Sequence, residues 1–491
     1  MMWKLLREGY PVEFYMEGGR SRTGKLLPPK LGMLSMLLEG VAQGEYKDLQ
    51  FVPINLSYER VVETASYKRE LTGGKKKDES VGGVVRAGKV LRHRYGRVYV
   101  SFEAPVRLRA YLENLGVDDL SSLDEKSERD VSKRLAYHLM RRIQEATVVA
   151  PSALLGAVLL SHHRRGLSGS RVRELAGFLI DLLVRRGARM SASMQLALER
   201  HASYVAEADT KSTADGHRAR GEAVRALIDE ALVLQRRLVQ RVESGGEIIY
   251  QVPDKSRIEL DYYRNAILGV LAPDALVATA VRATKGPIER DRLGQRVRDM
   301  SYWFRLEFVY RNDVDFQTTF DQTLDCLITE GLVAEEEGVV AAKAPLTLDF
   351  LRGTLLHLVE GYWIAADALR ALAHGPMEQA DWLDHAREHG EREYLEGDVR
   401  RAESASTAVL RNAIEVFRQE KLIVRSRSKG RKPVTTFALA EGVTLDDIAF
   451  RRDDLGEYLV TRRDDPVPRP TRAPRESLDS HSDESSSSAG S

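Results

Sequence analysis

A small α/β layer with a parallel-type sheet over residues 1–112, followed by a large and mainly α-helical region, is the fold class that the sequence predicts. Two patterns predict it. Short β-rich runs alternate with a helical run in the first hundred residues, and a strand–helix–strand crossover of that length suits parallel pairing. From about Ser127 the apolar residues switch to three- and four-residue spacing and mostly keep it. At 491 residues, 43% of them hydrophobic and 30% charged, the chain has ample material for two to four domains, and neither wholesale disorder nor a fibrous repeat fits.

The elements follow in order. Val12–Met16 reads as a strand between Tyr10-Pro11 and the turn Glu17-Gly18-Gly19. Leu31–Ala42 carries apolar residues on a broad helical face, Phe51–Tyr58 is a second strand and Arg97–Phe102 a third, with Leu71–Gly83 a loop between them. Helices are predicted over Val131–Ala146, Pro151–His162, Ser170–Arg186, Met190–Ala206 and His217–Val242, then a strand near Gly245–Pro253 and a helix over Arg257–Leu271. Two hairpins, Gly331–Ala342 and Leu422–Ala440, interrupt a helical last third. These patterns divide the chain into an α/β segment (1–112), a helical region (113–245), a mainly helical region with hairpins (246–463) and a Pro- and Ser-rich tail (464–491) expected to be disordered.

The net charge of +1 hides an asymmetry: residues 1–110 hold 20 Lys/Arg against 12 Asp/Glu, and the remainder is mildly acidic. An anionic partner for the basic segment is expected. A lone cysteine, Cys326, favours a reducing compartment. No uncharged apolar run approaches bilayer-spanning length, Ala153–Leu160 being among the longest, and the charged start is not a signal peptide.

The most informative stretch is Phe14–Lys30. A strand ending in Glu17-Gly18-Gly19 lets backbone approach a ligand, and Arg20, Arg22 and Lys25 supply cationic donors; the planar guanidinium can engage two phosphate oxygens at once. Gly19-x-x-x-x-Gly24-Lys25 imitates a nucleotide-binding P-loop. However, Leu26 stands where a magnesium-binding hydroxyl is needed, and Pro28-Pro29 separates the loop from the next helix.

Glu17–Lys25 followed by Leu-Leu-Pro-Pro-Lys resembles the third conserved block of the large bacterial-type, membrane-associated glycerol-3-phosphate acyltransferases. Val52–Arg60 resembles their fourth block, and Tyr250–Asp254 with Arg257 and Leu260–Asn265 is similar to a segment of their helical part. The resemblance implies a partial glycerolipid acyltransferase core and transfer of an acyl group from acyl-CoA or acyl carrier protein to the 1-hydroxyl of glycerol 3-phosphate, the first step of phospholipid synthesis. It places Glu17, Gly18, Gly19, Arg20, Ser21, Arg22, Lys25 and Pro53 at the substrate site. Arg20 and Arg22 would hold the phosphate with Lys25 as a third ligand, Glu17 would brace the loop with its pKa lowered by nearby guanidinium groups, and Pro53 would shape the acyl-donor side. It implies no cofactor and no metal, the acyl thioester being a co-substrate, and peripheral association with the cytoplasmic face of the cell membrane.

One departure is plain. The family's proton-abstracting histidine is followed five residues later by aspartate, and none of the 11 histidines here has that partner. No catalytic residue is therefore assigned in this chain, which reads as the C-terminal portion of such an enzyme, inactive alone. Other constellations are weaker. His385-x-x-Glu388-His389 imitates a zinc motif in a highly charged stretch, and the hairpin stretches suggest winged helices, the second with a basic wing at Arg425–Lys432. A non-catalytic binding homologue and a nucleic-acid-binding helical protein stand as alternatives, although no nucleic-acid partner is expected.

Overall fold

The computed structural model describes residues 2–19, 21–61, 64–74, 96–162, 166–199, 213–311, 314–428 and 433–459. The expected loop from 75 onward, the second half of the basic wing (429–432) and the tail from 464 lie outside the described residues, as does Arg20.

Three helices, Pro151–Ser161, Asp254–Ala283 and Pro345–Ala368, pack on one another at the centre of the larger core. Every residue of the first is buried, so its sequence is apolar on all sides rather than striped. The second runs well past the expected Leu271, through Pro273, to Ala283. By length and composition it alone among the described helices passes as a membrane span, but 72% of its apolar window is buried inside the protein. Its Asp274, fully buried, is gripped by two nitrogens of Arg186. Gly353 of the third helix lies so close to the first that an added Cβ would stand 2.1 Å from the Ser161 carbonyl oxygen.

The smaller core joins the Gly32–Ala42 helix, the Leu108–Asn114 helix and the Val131, Leu135, Leu139 face of the Glu125–Glu145 helix. Asp124 caps the last of these by accepting the Ser127 N–H at 2.7 Å, and Glu125 and Glu128 complement the positive end of its dipole.

The sheet differs from expectation. Ile54–Tyr58 and Val98–Phe102 pair antiparallel, in a register from Ile54↔Phe102 to Tyr58↔Val98, and not parallel. Glu59 ties the two strands together where this register brings their ends side by side. Its carboxylate accepts the Arg97 N–H (2.8 Å) and the Tyr99 hydroxyl (2.6 Å) while its own N–H donates to the Arg97 carbonyl (3.1 Å), so the chain re-enters beside the point where it left. The strand expected over Val12–Met16 is not formed, residues 12–15 having no regular structure and Met16 lying in a turn, and the one described parallel ladder is the two-residue pairing of Val148–Val149 with Arg189–Met190. The antiparallel pair also turns its polar side inward: Asn55 Nδ2 donates to the Ile143 carbonyl, while Ile54, Leu56, Tyr58, Val98, Val100 and Phe102 are exposed on the other face.

The helical region contains three copies of one pattern: a short strand, helices, and a hairpin whose second strand pairs with the first strand. The strands are Gly166–Ser168 with Gln240–Ser244 and Glu247–Gln251; Ile288–Glu289 with Val333–Glu336 and Val339–Ala342; and Met377–Glu378 with Ile423–Arg427 and Thr435–Leu439. The last two are the expected hairpin stretches. The first corrects the helix expected over His217–Val242, which ends at Gln235 because the Gly245-Gly246 turn, with φ of +58° and +80°, folds Gln240–Ser244 onto Glu247–Gln251.

Candidate functional site

The Phe14–Lys30 stretch forms a closed loop. The Lys30 N–H donates to the Met16 carbonyl at 2.8 Å and closes its base, and Gly18, at φ +66°, turns the chain immediately above. Beneath it Glu17 accepts the Leu27 N–H at 2.9 Å. Burial pushes the Glu17 carboxyl above its usual pKa, with the Leu27 hydrogen bond opposing; the downward pull expected from arginines is not among its causes. Gly19 faces open space and Ser21 donates to the Lys25 carbonyl at 2.5 Å. After Lys25 residues 26–31 form no regular structure before the Gly32–Ala42 helix begins, so no helix N-terminus follows the loop directly as a P-loop requires.

The loop tip docks on the Asp254–Ala283 helix, bringing together two stretches that carry the resemblance. Asn265 Nδ2 donates to the Thr23 carbonyl at 3.0 Å and to Asp261 Oδ2 at 2.9 Å. Gly24, at φ +83°, approaches so closely that an added Cβ would lie 2.0 Å from the Tyr262 carbonyl oxygen. Lys25 then turns inward: its side chain is 7% exposed and its ammonium pairs with Glu307, whose side chain is fully buried. It does not stand beside Arg22, as a third phosphate ligand would. Arg22 points outward, 41% exposed, and its Nε meets Glu70 Oε2 at 2.7 Å. Pro53 is buried in the break between Gln50–Phe51 and Ile54–Tyr58, and its carbonyl accepts the Glu103 N–H at 2.9 Å.

Behind the tip lies a buried ionic cluster that sequence reasoning did not assign. Arg257 donates to both oxygens of Glu403 (2.6 and 2.9 Å), and Arg264 pairs with Asp261 and approaches Glu403 at 3.6 Å. Arg401 and the Ser404 hydroxyl both bond Glu360, at 2.8 and 2.7 Å. Burial alone would raise the Glu403 pKa, but Arg257 and then Arg264 overcome it and hold the carboxyl at about 2. Burial first, then Arg264, Lys25 and Arg401, push His357 well below the usual histidine range, so it is a neutral core imidazole. Arg257, Asp261 and Arg264 recur at four- and three-residue spacing on one helix, a signal that was available; Glu307 had none.

Chemically, an exposed arginine on a rigidly seated loop can take up an anion, and an inward lysine held by glutamate can anchor that loop. Elsewhere, His389 Nε2 lies 2.8 Å from Asp367 Oδ2, a carboxylate outside its motif-like spacing with His385. Among the described residues the set with metal-ligand spacing is Glu393, Glu396 and Asp398, and it includes neither His385 nor Glu388.

Residues 67–224 and 198–426 match the family described as the glycerol-3-phosphate acyltransferase C-terminal region, and residues 1–57 match the acyltransferase family. The chain is 30% identical over 358 residues to the glycerol-3-phosphate acyltransferases of Pseudomonas entomophila and Pseudomonas putida, covering 72% of this chain and 40% of each relative. It is 30% identical over 375 residues to that of Shewanella loihica, covering 75% and 43%. The chain thus spans about two-fifths of the length of the curated relatives it matches. With family matches running nearly continuously from residue 1 to residue 426, the chain belongs to the glycerol-3-phosphate acyltransferase family.

Proposed function

We propose that this chain provides the glycerol 3-phosphate-binding side of a glycerol-3-phosphate 1-O-acyltransferase, which moves an acyl group from acyl-CoA or acyl carrier protein to sn-glycerol 3-phosphate and yields lysophosphatidate. The observation that carries the reading is the loop at Glu17–Lys25, closed at its base, seated on the Asp254–Ala283 helix and presenting Arg22 outward. In this reading Arg20 and Arg22 clamp the substrate phosphate, Arg22 exchanging Glu70 for phosphate oxygens, while Gly18 and Gly19 keep side chains out of the way. Ser21 and the Gly19 backbone line the phosphate side, and Pro53 shapes the acyl-donor side. The first 112 residues belong to the α/β core of the acyltransferase.

The reaction needs a base to take the proton from the 1-hydroxyl as it attacks the thioester carbonyl, after which the thiolate departs with a proton. No histidine of this chain has the aspartate partner that the resemblance assigns to that task. The chain's own share is therefore binding and orientation of the phosphate-bearing substrate, with no cofactor or metal. Peripheral attachment to the cytoplasmic membrane face fits the basic first 110 residues and the exposed apolar face around Leu56, Val100 and Phe102.

Kinetics test the reading. The purified chain should show no acyl transfer, and in the complete enzyme Arg20→Ala should raise KM for glycerol 3-phosphate far more than KM for the acyl donor. Turnover by the chain alone would contradict the division of labour, and equal KM effects would contradict the phosphate role.

A further inference from the structure

The loop divides its cations between two sides. The Arg22 side chain is 41% exposed, and its Nε pairs with the Glu70 carboxylate, a partner that an anion could replace. Lys25, three residues on, is buried and paired with a carboxylate 282 residues away in sequence. Its ammonium is thus turned into the protein and already taken up by a carboxylate. Three further contacts act on the same few atoms: the Asn265 amide on the Thr23 carbonyl, Asp261 holding that amide in place, and the Gly24 backbone against the Tyr262 carbonyl. Glu307 belongs to the short segment after the Arg290–Trp303 helix, beside Phe304 and Phe308 of the larger core, so the partner of Lys25 is fixed by packing.

We infer that Lys25 and Glu307 are positioning residues: their buried ion pair plugs the loop tip into the helical region and thereby sets the direction in which the loop's arginines face a phosphomonoester substrate. This deepens the function proposed above and rests on it for the identity of the ligand. The helical region then acts as the socket of the phosphate loop, and substrate affinity depends on a glutamate that never touches substrate. Lys25 is removed from the set of phosphate ligands.

The test uses the full chain, with amide hydrogen exchange over residues 17–30 and calorimetric titration with sn-glycerol 3-phosphate. Glu307→Gln should speed loop exchange at least tenfold, leave the 267–281 part of the central helix protected, and weaken sn-glycerol 3-phosphate binding at least tenfold. Lys25→Met keeps the aliphatic stem without the charge and should do the same, which also covers the case in which Glu307→Gln does not fold. The double variant should be no worse than the worse single one, since one interaction is lost in all three. Arg22→Ala should instead weaken binding while leaving loop exchange within twofold. Unchanged loop exchange in folded Lys25→Met or Glu307→Gln protein, or additive effects in the double variant, would overturn the inference. If the wild-type chain binds no sn-glycerol 3-phosphate, the functional reading fails and the exchange measurement alone decides the positioning claim.

Discussion

Removing the negative charge at the centre of the buried cluster has a magnitude that can be worked out. Glu403 is fully buried and answers Arg257 through two hydrogen bonds and Arg264 at 3.6 Å. Its pKa falls from an ordinary 4.5 to about 2 despite burial. A shift of that size corresponds to about 3 kcal/mol of stability at neutral pH, at roughly 1.4 kcal/mol per unit. The separate expectation for breaking a buried pair, about 3–5 kcal/mol, agrees. Because the folded pKa is depressed, this stability is fully present above the unfolded value of 4.5 and is lost as pH falls through about 2. Glu403→Gln should therefore lower unfolding free energy by about 3 kcal/mol at pH 7, and the gap to wild type should shrink to about 1 kcal/mol near pH 3. Guanidinium unfolding of both proteins at the two pH values measures it. A gap below about 1 kcal/mol at pH 7, or one that does not change with pH, would refute the claim that Glu403 balances the two arginines.

Three other substitutions probe separate features. Gly24→Ala places a β-carbon at φ +83° and 2.0 Å from the Tyr262 carbonyl oxygen; the backbone alone costs about 1–2 kcal/mol, and the tip must lift, so exchange at 17–30 should rise and sn-glycerol 3-phosphate affinity fall. Gly353→Ala should destabilise the protein by about 1–3 kcal/mol, read by thermal unfolding, because its Cβ would press on the Ser161 carbonyl between two central helices. Replacing the exposed cross-strand pair Leu56 and Val100 by serine should change stability by less than about 1 kcal/mol yet cut binding to anionic phospholipid vesicles at least fivefold; unchanged co-sedimentation would exclude that face from membrane contact.

The division into an α/β start and a helical remainder was legible because helical periodicity is a local property, and so were the two later hairpins. The basic loop was legible as a motif, since glycines and arginines at fixed spacing carry their own chemistry. Its anchoring was not: Lys25 and Glu307 are 282 residues apart, and a lysine bound for a buried pair looks the same in sequence as one bound for substrate. Strand direction also escaped, because alternation reports which residues share a face and not how the next strand enters. The outward apolar face of that pair inverts the usual rule that apolar side chains turn inward. The raised pKa of Glu17 followed burial that no local pattern announces. The helix through Pro273 outran its expected end because tertiary packing on two neighbouring helices outweighs one lost backbone hydrogen bond.

The central claim is that the Glu17–Lys25 loop binds the phosphate of glycerol 3-phosphate, and calorimetric titration of the full chain tests it most directly. The account predicts saturable binding of sn-glycerol 3-phosphate, none of glycerol, and loss of binding in Arg22→Ala with folding intact. Absence of binding by the wild-type chain, or binding untouched by Arg22→Ala, would contradict it.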